Sequence, residues 1–546
     1  MVNQLVIKLE PRQGKKEVVH SRDGMVSSSH PRVSEIMVKI LKRGGNAVDA
    51  AIAGSLAGPV YEPHMTTHSG TISFLYFDSE SDEYYFMDAS PVLPEGLPPF
   101  CPHPYSPKTA AAIPGSPAGL KSMLNRFGSL KWSELIQPAV DAAKVGHTVT
   151  SWEYAILYGG SGSRSSSLEG RTFFPSGRKH FTPNGFQVPV GSKWKRPDLA
   201  ETLERSSTEG PGYFLNGDWA KHFVAEAQRL GWDISLNDVA GFEPIWLNPV
   251  KIVYKEDEII GIPPPQRGGF YTGFLFGVLS NFDLRMMNHY TESADTLALV
   301  AWILRRAHYD RNLIHDPGYY DTPLDTLLSE SYHRVIADLW KGGRPSVDLS
   351  EYIESTHSVS TIRGSLPSTM HVPHDSCELS IVDSEGNWVQ MMETGGAGIP
   401  GVVVDGVPGS GIGWERYALV EPGGRTQHAI SNTMVAKSGE PWMAIGSPGD
   451  CIFTVPQVLL SILEYGWDPY EAIDAPRFWP IRDDWTIEIE NRLPLEVISG
   501  LKKIGIMPRP LGDYHWPMGS MQCVWRSERG LSGTADPRRL GVALGY

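Results

Sequence analysis

The stretch that most constrains this chain runs from Ser355 to Met391. Ser355 to Asp375 is polar, carries Ser, Thr, His and Pro, and shows no hydrophobic period, so it reads as a loop. It runs into Asp375-Ser376-Cys377-Glu378-Leu379-Ser380-Ile381-Val382-Asp383, where Leu379 and Ile381 alternate with Ser380 as in a half-buried strand. The turn Ser384-Glu385-Gly386-Asn387 leads to a second apolar run, Trp388-Val389-Gln390-Met391. A small hydroxyl side chain, Ser376, therefore stands where a polar loop meets a buried hairpin. A self-cleaving hydrolase would put its nucleophile there. The local residues alone favour an ordinary strand start that carries Ser and Cys.

With 546 residues the chain can bury a large core. It is 41% hydrophobic and 20% charged, so no long disordered region is needed. A net charge of -14 and the lack of basic clusters argue against nucleic acid or an anionic membrane as partners. Cys101, Cys377, Cys451 and Cys523 are far apart with no CxxC spacing, which speaks against a disulfide framework or a zinc site. No metal or other cofactor is expected. No run reaches the roughly 18 apolar residues of a membrane span, and Met1 to Lys8 lacks the apolar core of a signal peptide. A soluble cytoplasmic protein is the expectation. The 56 glycines and 43 prolines suit a loop-rich enzyme.

In chain order, a short strand at Met25-Val26-Ser27 precedes a helix opened by His30-Pro31 and closed at Gly44-Gly45. Asn46 caps a second helix whose small residues allow close packing. Thr71 to Asp78 and Glu83 to Asp88 read as a hairpin. Helices follow from Pro114-Gly115 and from Trp132, around Asp198 and Trp219, and over Tyr271 to Leu279, Asp295 to Tyr309 and Ser329 to Trp340. After the central hairpin, strands at Met434 to Ala436 and Trp442 to Ile445 lead through Gly446-Ser447-Pro448-Gly449 to a helix from Thr454 to Tyr465. This order fits an α/β fold in which two sheets pack face to face under helices on both outer faces.

The sequence resembles the gamma-glutamyltranspeptidase family over nearly its whole length. Gly44-Gly45-Asn46-Ala47-Val48-Asp49-Ala50-Ala51 looks like the family's early helix signature, and Glu62-Pro63-His64 follows. Pro263-Pro264-Pro265 with Gly268-Gly269, Asp310-Arg311, Asp316-Pro317, Gly446-Ser447-Pro448-Gly449, Asp474-Ala475-Pro476-Arg477 and Asp536-Pro537-Arg538-Arg539 are similar to its later landmarks. Each motif is weak alone; their shared order is specific. The resemblance implies a four-layer αββα sandwich of the N-terminal-nucleophile hydrolase type. It also implies cleavage between Asp375 and Ser376, giving a large subunit 1–375 and a small subunit 376–546 that form one intertwined unit. These fragments would be each other's partners, and a homodimer of processed heterodimers is compatible with them.

A serine hydroxyl needs a base. Cleavage would supply one, the freed α-amino group of Ser376, with a pKa of about 7.7–8.0. By resemblance, Thr394 hydrogen-bonds the nucleophile, and Gly449 and Asp450 sit at the oxyanion hole, where the family's usual pattern ends Gly-Gly. Their structural readings are a strand-end threonine and a simple turn. Cys377 is the rival nucleophile, since a thiolate is intrinsically stronger; otherwise it is a small buried residue.

The departures from the family cluster in the substrate pocket. Ser90 stands at the position of the arginine that binds a gamma-glutamyl carboxylate. His428-Ala429 replaces a Ser-Ser pair, Gly396 replaces an asparagine, and Gly413-Trp414-Glu415-Arg416-Tyr417-Ala418 replaces an Asn-Asn-Gln-Met-Asp-Asp stretch. A carboxylate needs a fixed cationic fork. Arg416 or Arg425 could provide one from a new direction, with Trp388 and Trp414 as walls; solvated arginines and core tryptophans are the plain alternatives. The expectation is a small-molecule hydrolase for an amide, or an activated C–C bond, of a non-gamma-glutamyl acyl substrate. A gamma-glutamyl hydrolase or transpeptidase acting on glutathione-like substrates stays open, as does a non-catalytic relative used for binding.

Overall fold

A computed structural model describes residues 13–95, 112–159, 168–343, 376–395, 402–410, 421–482 and 484–546. Fourteen of its strands build two sheets: β1 (Val19–Ser21), β2 (Met25–Ser28), β3 (Thr71–Asp78), β4 (Glu83–Ala89), β5 (Ile245–Leu247), β6 (Val250–Tyr254), β7 (Asp257–Gly261), β8 (Cys377–Val382), β9 (Trp388–Thr394), β10 (Thr433–Lys437), β11 (Glu440–Gly446), β12 (Gln522–Ser527), β13 (Gly530–Ala535) and β14 (Val542–Gly545). The first sheet has the order β1-β13-β12-β11-β10-β7-β6 and the second β14-β2-β8-β9-β3-β4-β5. Neighbouring strands run antiparallel in both.

Strand alternation explains the layers. On β8, Leu379 and Ile381 join an apolar cluster with residues of the helices α1 (Pro31–Lys42), α2 (Ala47–Tyr61), α3 (Ser116–Phe127) and α4 (Trp132–Val145). The other sheet is covered by α5 (Gly268–Leu279), α6 (Ala294–Asp310), α7 (Glu330–Lys341) and α8 (Cys451–Leu463). The fold is the four-layer αββα sandwich. The small residues of α2 do what their size permits: a Cβ on Gly58 would lie 2.0 Å from a Glu393 oxygen, and one on Gly54 would meet Met37 and Leu379. Asn46 caps this helix in a capping box with Asp49.

Strands from either side of residue 376 interleave. β8 pairs with β2, and β9 pairs with β3. Separating the two lengths of chain would strip both sheets. The helix expected from Thr454 begins at Cys451 instead, because the Asp450 carbonyl already accepts the amides of Phe453 and Thr454. Among the described residues no helix is long and apolar enough to cross a membrane.

Candidate active site

The register of the β8–β9 pair aligns Ser376 with Thr394 at one end. The register sets Cys377 opposite Glu393, so one step outward brings Ser376 opposite Thr394, which in turn faces Thr71 on β3. Ser376 and Thr394 are both buried. The Ser376 carbonyl accepts a hydrogen bond from Arg539 Nη1 at 2.9 Å. Gly70 lies flat against the end of β9, where a Cβ would stand 1.9 Å from the Thr394 carbonyl oxygen. The loop from Glu62 to Gly70 thus wraps this strand end, and the Gly395 amide donates to Met65 O at 3.3 Å.

Cys377 points to the helix side of the sheet. Its thiol donates to Glu62 Oε2 at 3.2 Å. Burial, reinforced by Glu62 and Glu393, pushes the thiol well above its ordinary range, so the group stays protonated. Three buried carboxyls surround the same strand end. Burial raises Glu62 to about 7, against the pull of Cys377 and Arg539. It raises Glu393 to about 8, against a hydrogen bond from Ser55 Oγ at 2.6 Å. It raises Glu378 well above the carboxylate range, although Gln390 Nε2 donates to it at 2.5 Å.

Glu378 faces the opposing sheet. A Cβ on Gly446 would lie 2.2 Å from its Oε1, so the loop 446–450 starts directly across from β8. Gly449 has φ +85°, and a Cβ there would lie 2.7 Å from Pro517 O. The Asp450 amide donates to Pro517 O at 3.0 Å, and Ser520 N donates to Ser447 Oγ at 2.8 Å. Of the two residues assigned to an oxyanion hole, Asp450 thus has its amide committed to the scaffold. Behind this loop the Asp474–Arg477 and Asp536–Arg539 landmarks converge. Arg477 meets Asp536 at 2.5 Å, and Arg538 meets Glu490 at 2.5 Å and Asp536 at 3.1 Å, all buried.

Ser90 and His428 belong to one network. Gln266 Nε2 donates to Asp88 Oδ2 at 2.7 Å and to Ser90 Oγ at 2.9 Å, while Gln266 Oε1 accepts the His428 amide at 2.9 Å. His428 Nε2 lies 2.7 Å from Thr426 Oγ1 and 3.1 Å from Thr71 Oγ1. Thr71 links this network to Thr394. Asp375, Gly396, Trp414 and Arg416 lie outside the described residues. Arg425 is directed elsewhere: its Nη2 donates to Glu243 O at 2.9 Å and its amide to Asp316 Oδ2 at 2.9 Å.

Trp388 does not wall this site. It opens β9, pairs with Val382, and lies fully buried six residues from Thr394, about 20 Å away along an extended strand. Sequence reasoning assigned no role to Glu62, Thr71, Asp88, Gln266 or Arg539. Glu62 and Arg539 sit inside landmarks already noted, and the signal available was that two such landmarks flank Ser376 in the fold.

The sequence matches the family model described as gamma-glutamyltranspeptidase over residues 33–546. The glutathione hydrolase proenzyme of Bacillus subtilis (strain 168) is 27% identical over 576 residues, covering 97% of this chain and 92% of that protein. The acylase ACY 1 proenzyme of Pseudomonas sp. (strain SE83) is 26% identical over 529 residues, covering 89% and 87%. In fold, the chain is similar to the crystal structure of cephalosporin acylase from Bacillus halodurans, with a TM-score of 0.81 over 98% of both chains at 21% identity. With the sandwich, the ordered landmarks and a match that runs to its last residue, this chain belongs to the gamma-glutamyltranspeptidase family of N-terminal-nucleophile hydrolases and is an enzyme of that family.

Proposed function

We propose that the protein is made as a precursor, cuts itself between Asp375 and Ser376, and then hydrolyses an amide bond of a small non-gamma-glutamyl acyl substrate through an acyl-enzyme on Ser376. The observation that carries this reading is the alignment of Ser376 with Thr394 at the buried strand end, under the Gly446–Asp450 loop. In the cleavage step Ser376 Oγ attacks the Asp375 carbonyl carbon. The peptide C–N bond breaks, an ester forms, and the α-amino group of Ser376 is released. Water then hydrolyses the ester, leaving the Asp375 carboxylate and a free Ser376 hydroxyl.

In turnover the new amine takes the Oγ proton as Oγ attacks the substrate carbonyl. Thr394 orients Oγ, and the 446–450 loop faces the oxyanion, with Gly449 as the candidate donor and Asp450 holding the start of α8. The leaving amine receives the proton, and water releases the acid by the same path in reverse. Acylation of Ser376 would equally serve an activated C–C bond. Cys377 is disfavoured as the nucleophile because its thiol is buried, hydrogen-bonded to Glu62 and held protonated.

The pocket side supports a non-gamma-glutamyl acyl group. Ser90, at the arginine position, is tied to Gln266 rather than open to a carboxylate, and His428 is held between two threonines. A second reading, gamma-glutamyl hydrolysis or transfer, is favoured by relatives named glutathione hydrolase proenzyme. Intact mass spectrometry of the purified protein, followed by assay with glutaryl-, phenylacetyl- and gamma-glutamyl-p-nitroanilide, separates the two. The expected result is two fragments, 1–375 and 376–546, and turnover of a non-gamma-glutamyl anilide. Ser376→Ala is expected to stay one chain without activity. If Ser376→Ala is processed and active, the nucleophile is wrong; if gamma-glutamyl-p-nitroanilide is the best substrate, the second reading replaces the first.

A further inference from the structure

Two consecutive arginines at the C-terminal landmark divide their work. Arg538 turns into the scaffold, where Glu490 and Asp536 neutralise it. Arg539 turns the other way. It is 1% exposed, donates from Nη1 to the Ser376 carbonyl at 2.9 Å, has the same nitrogen 3.7 Å from Met65 Sδ, and stacks 5.2 Å from the Trp516 ring. The residue after Ser376 is tied down as well, through the Cys377 thiol and Glu62.

We propose that Arg539 is the positioning residue of the nucleophile: it fixes the rotation of Ser376 through its carbonyl, and its charge holds the Ser376 α-amino group in the base form, with Glu62 as counter-charge. This rests on the reading of Ser376 as nucleophile. Once Ser376 becomes a chain end, nothing covalent restrains it on the amino side. The strand proper begins at Cys377. Rotation about the Ser376 Cα–C bond would swing both Oγ and the amine away from a substrate. A charge-assisted hydrogen bond to the carbonyl stops that rotation at the atom next to the pivot.

The charge has its own effect. A cation beside an amine disfavours the ammonium form and lowers its pKa. Glu153, on the helix Ser151–Gly159, acts on Glu62. At the Ser376 end, among the described residues, stand Glu62 and His64 from the loop after α2, Cys377 and Glu378 on β8, and Glu393 on β9. Burial drives all five toward their neutral forms. Arg171 approaches from the far side of His64, donating to its carbonyl at 3.2 Å. Glu62 offsets the charge of Arg539 as that carboxyl ionises near its value of about 7. The amine and Glu62 titrate as a coupled pair.

The test follows the rate at which a fluorophosphonate labels Ser376 in the processed protein, by intact mass, from pH 5 to 9. This readout does not require the substrate to be known. Arg539→Gln is expected to lower the maximal rate by about tenfold or more and to move the acidic limb up by about one pH unit. Arg539→Lys keeps the charge but not the planar fork; its rate should fall while the limb stays put. Native rate and native limb in Arg539→Gln would overturn the proposal. So would equal limb shifts in both variants, the result of general damage. Should Arg539→Gln not fold, Arg539→Lys decides: a slowed rate with an unmoved limb supports the proposal, and a native rate overturns it. Labelling that persists in Ser376→Ala sinks the nucleophile reading itself, independently of any Arg539 result.

Discussion

The β8–β9 pair has two unlike ends. At one, Val382, Trp388 and Phe77 lie in register across three strands, all buried and apolar. At the other, Ser376, Thr394 and Thr71 lie in register, with Glu378, Gln390 and Glu393 just behind them, equally buried and polar. Burial is the same; what differs is what burial costs. Apolar side chains gain free energy on leaving water, whereas carboxyls and hydroxyls lose it unless partnered. Gln390 bonds Ser380 Oγ and Glu378, and Ser55 bonds Glu393, yet Glu378 Oε2 and Glu393 Oε1 find no hydrogen-bond partner among the described residues. One end of the hairpin holds the sheets together and leaves only the Trp388 Nε1 without a hydrogen-bond partner among its described atoms, and the other carries the larger cost of burying carboxyls.

The largest effect that tests this contrast belongs to the apolar end. Trp388→Ala removes a fully buried indole and should lower stability by about 4 kcal/mol. The folded variant should still process between Asp375 and Ser376 and keep its turnover, because the indole is remote from Thr394. Urea denaturation with intact mass measures both. A variant that folds but no longer cleaves would show that the two ends are not independent.

Next comes the polar end, through pH. Burial raises Glu62 from its ordinary 4.5 to about 7. The folded state therefore holds a proton that the unfolded chain releases earlier. Its contribution to stability is full below about 4.5 and is lost as pH rises through about 7. A shift of that size corresponds to about 3 kcal/mol. Glu62→Gln keeps an acceptor for Cys377 but cannot ionise. Its stability should match the native protein near pH 4 and exceed it by about 3 kcal/mol at pH 9. The gap between the two denaturation curves reads Glu62 together with the part of the Glu393 and Cys377 titrations that its charge drives. A gap that does not widen with pH would mean Glu62 is already ionised and paired with Arg539.

How much of this was legible depended on whether a feature repeats along the chain. The hairpin, the helices and the αββα order follow from periods of two and of three to four residues, which each segment shows by itself. Ser376 was singled out by the loop-to-strand junction it occupies and Thr394 by the family resemblance; that both stand at one end of the same hairpin follows from the register. Glu62, Gln266 and Arg539 were not legible, because each sits in an aperiodic loop and acquires its role only when strands hundreds of residues apart pair. Trp388 was left open between pocket wall and core for the same reason: composition suits an aromatic to either, and only the register decides for the core. Arg538 and Arg539 show the limit most sharply, since adjacent and identical residues face a scaffold network and the Ser376 carbonyl.

The smallest effect is expected at Gln266, which joins the two halves of the pocket wall without touching Ser376. Its amide ties Asp88 and Ser90 on one side and the His428 backbone on the other. Burial pushes the Asp88 carboxyl up, and the Gln266 and Ser90 hydrogen bonds pull it back. Gln266→Ala frees His428 to shift against Thr71 and Thr426 and leaves Asp88 with fewer donors. Neither change reaches the reacting atoms. A pocket wall displaced at Ser90 and His428 weakens substrate binding by the equivalent of one or two hydrogen bonds, about 1–2 kcal/mol, hence a KM raised roughly five- to thirtyfold with kcat nearly unchanged. The p-nitroanilide panel measures this, and its pattern matters as much as its size. If Ser90 and His428 form the acyl pocket, the rise in KM depends on the acyl group and is the same for different leaving anilines. A fall in kcat at constant KM would instead assign the Gln266 network to the reacting centre, and the polar end would have to be redrawn to include it.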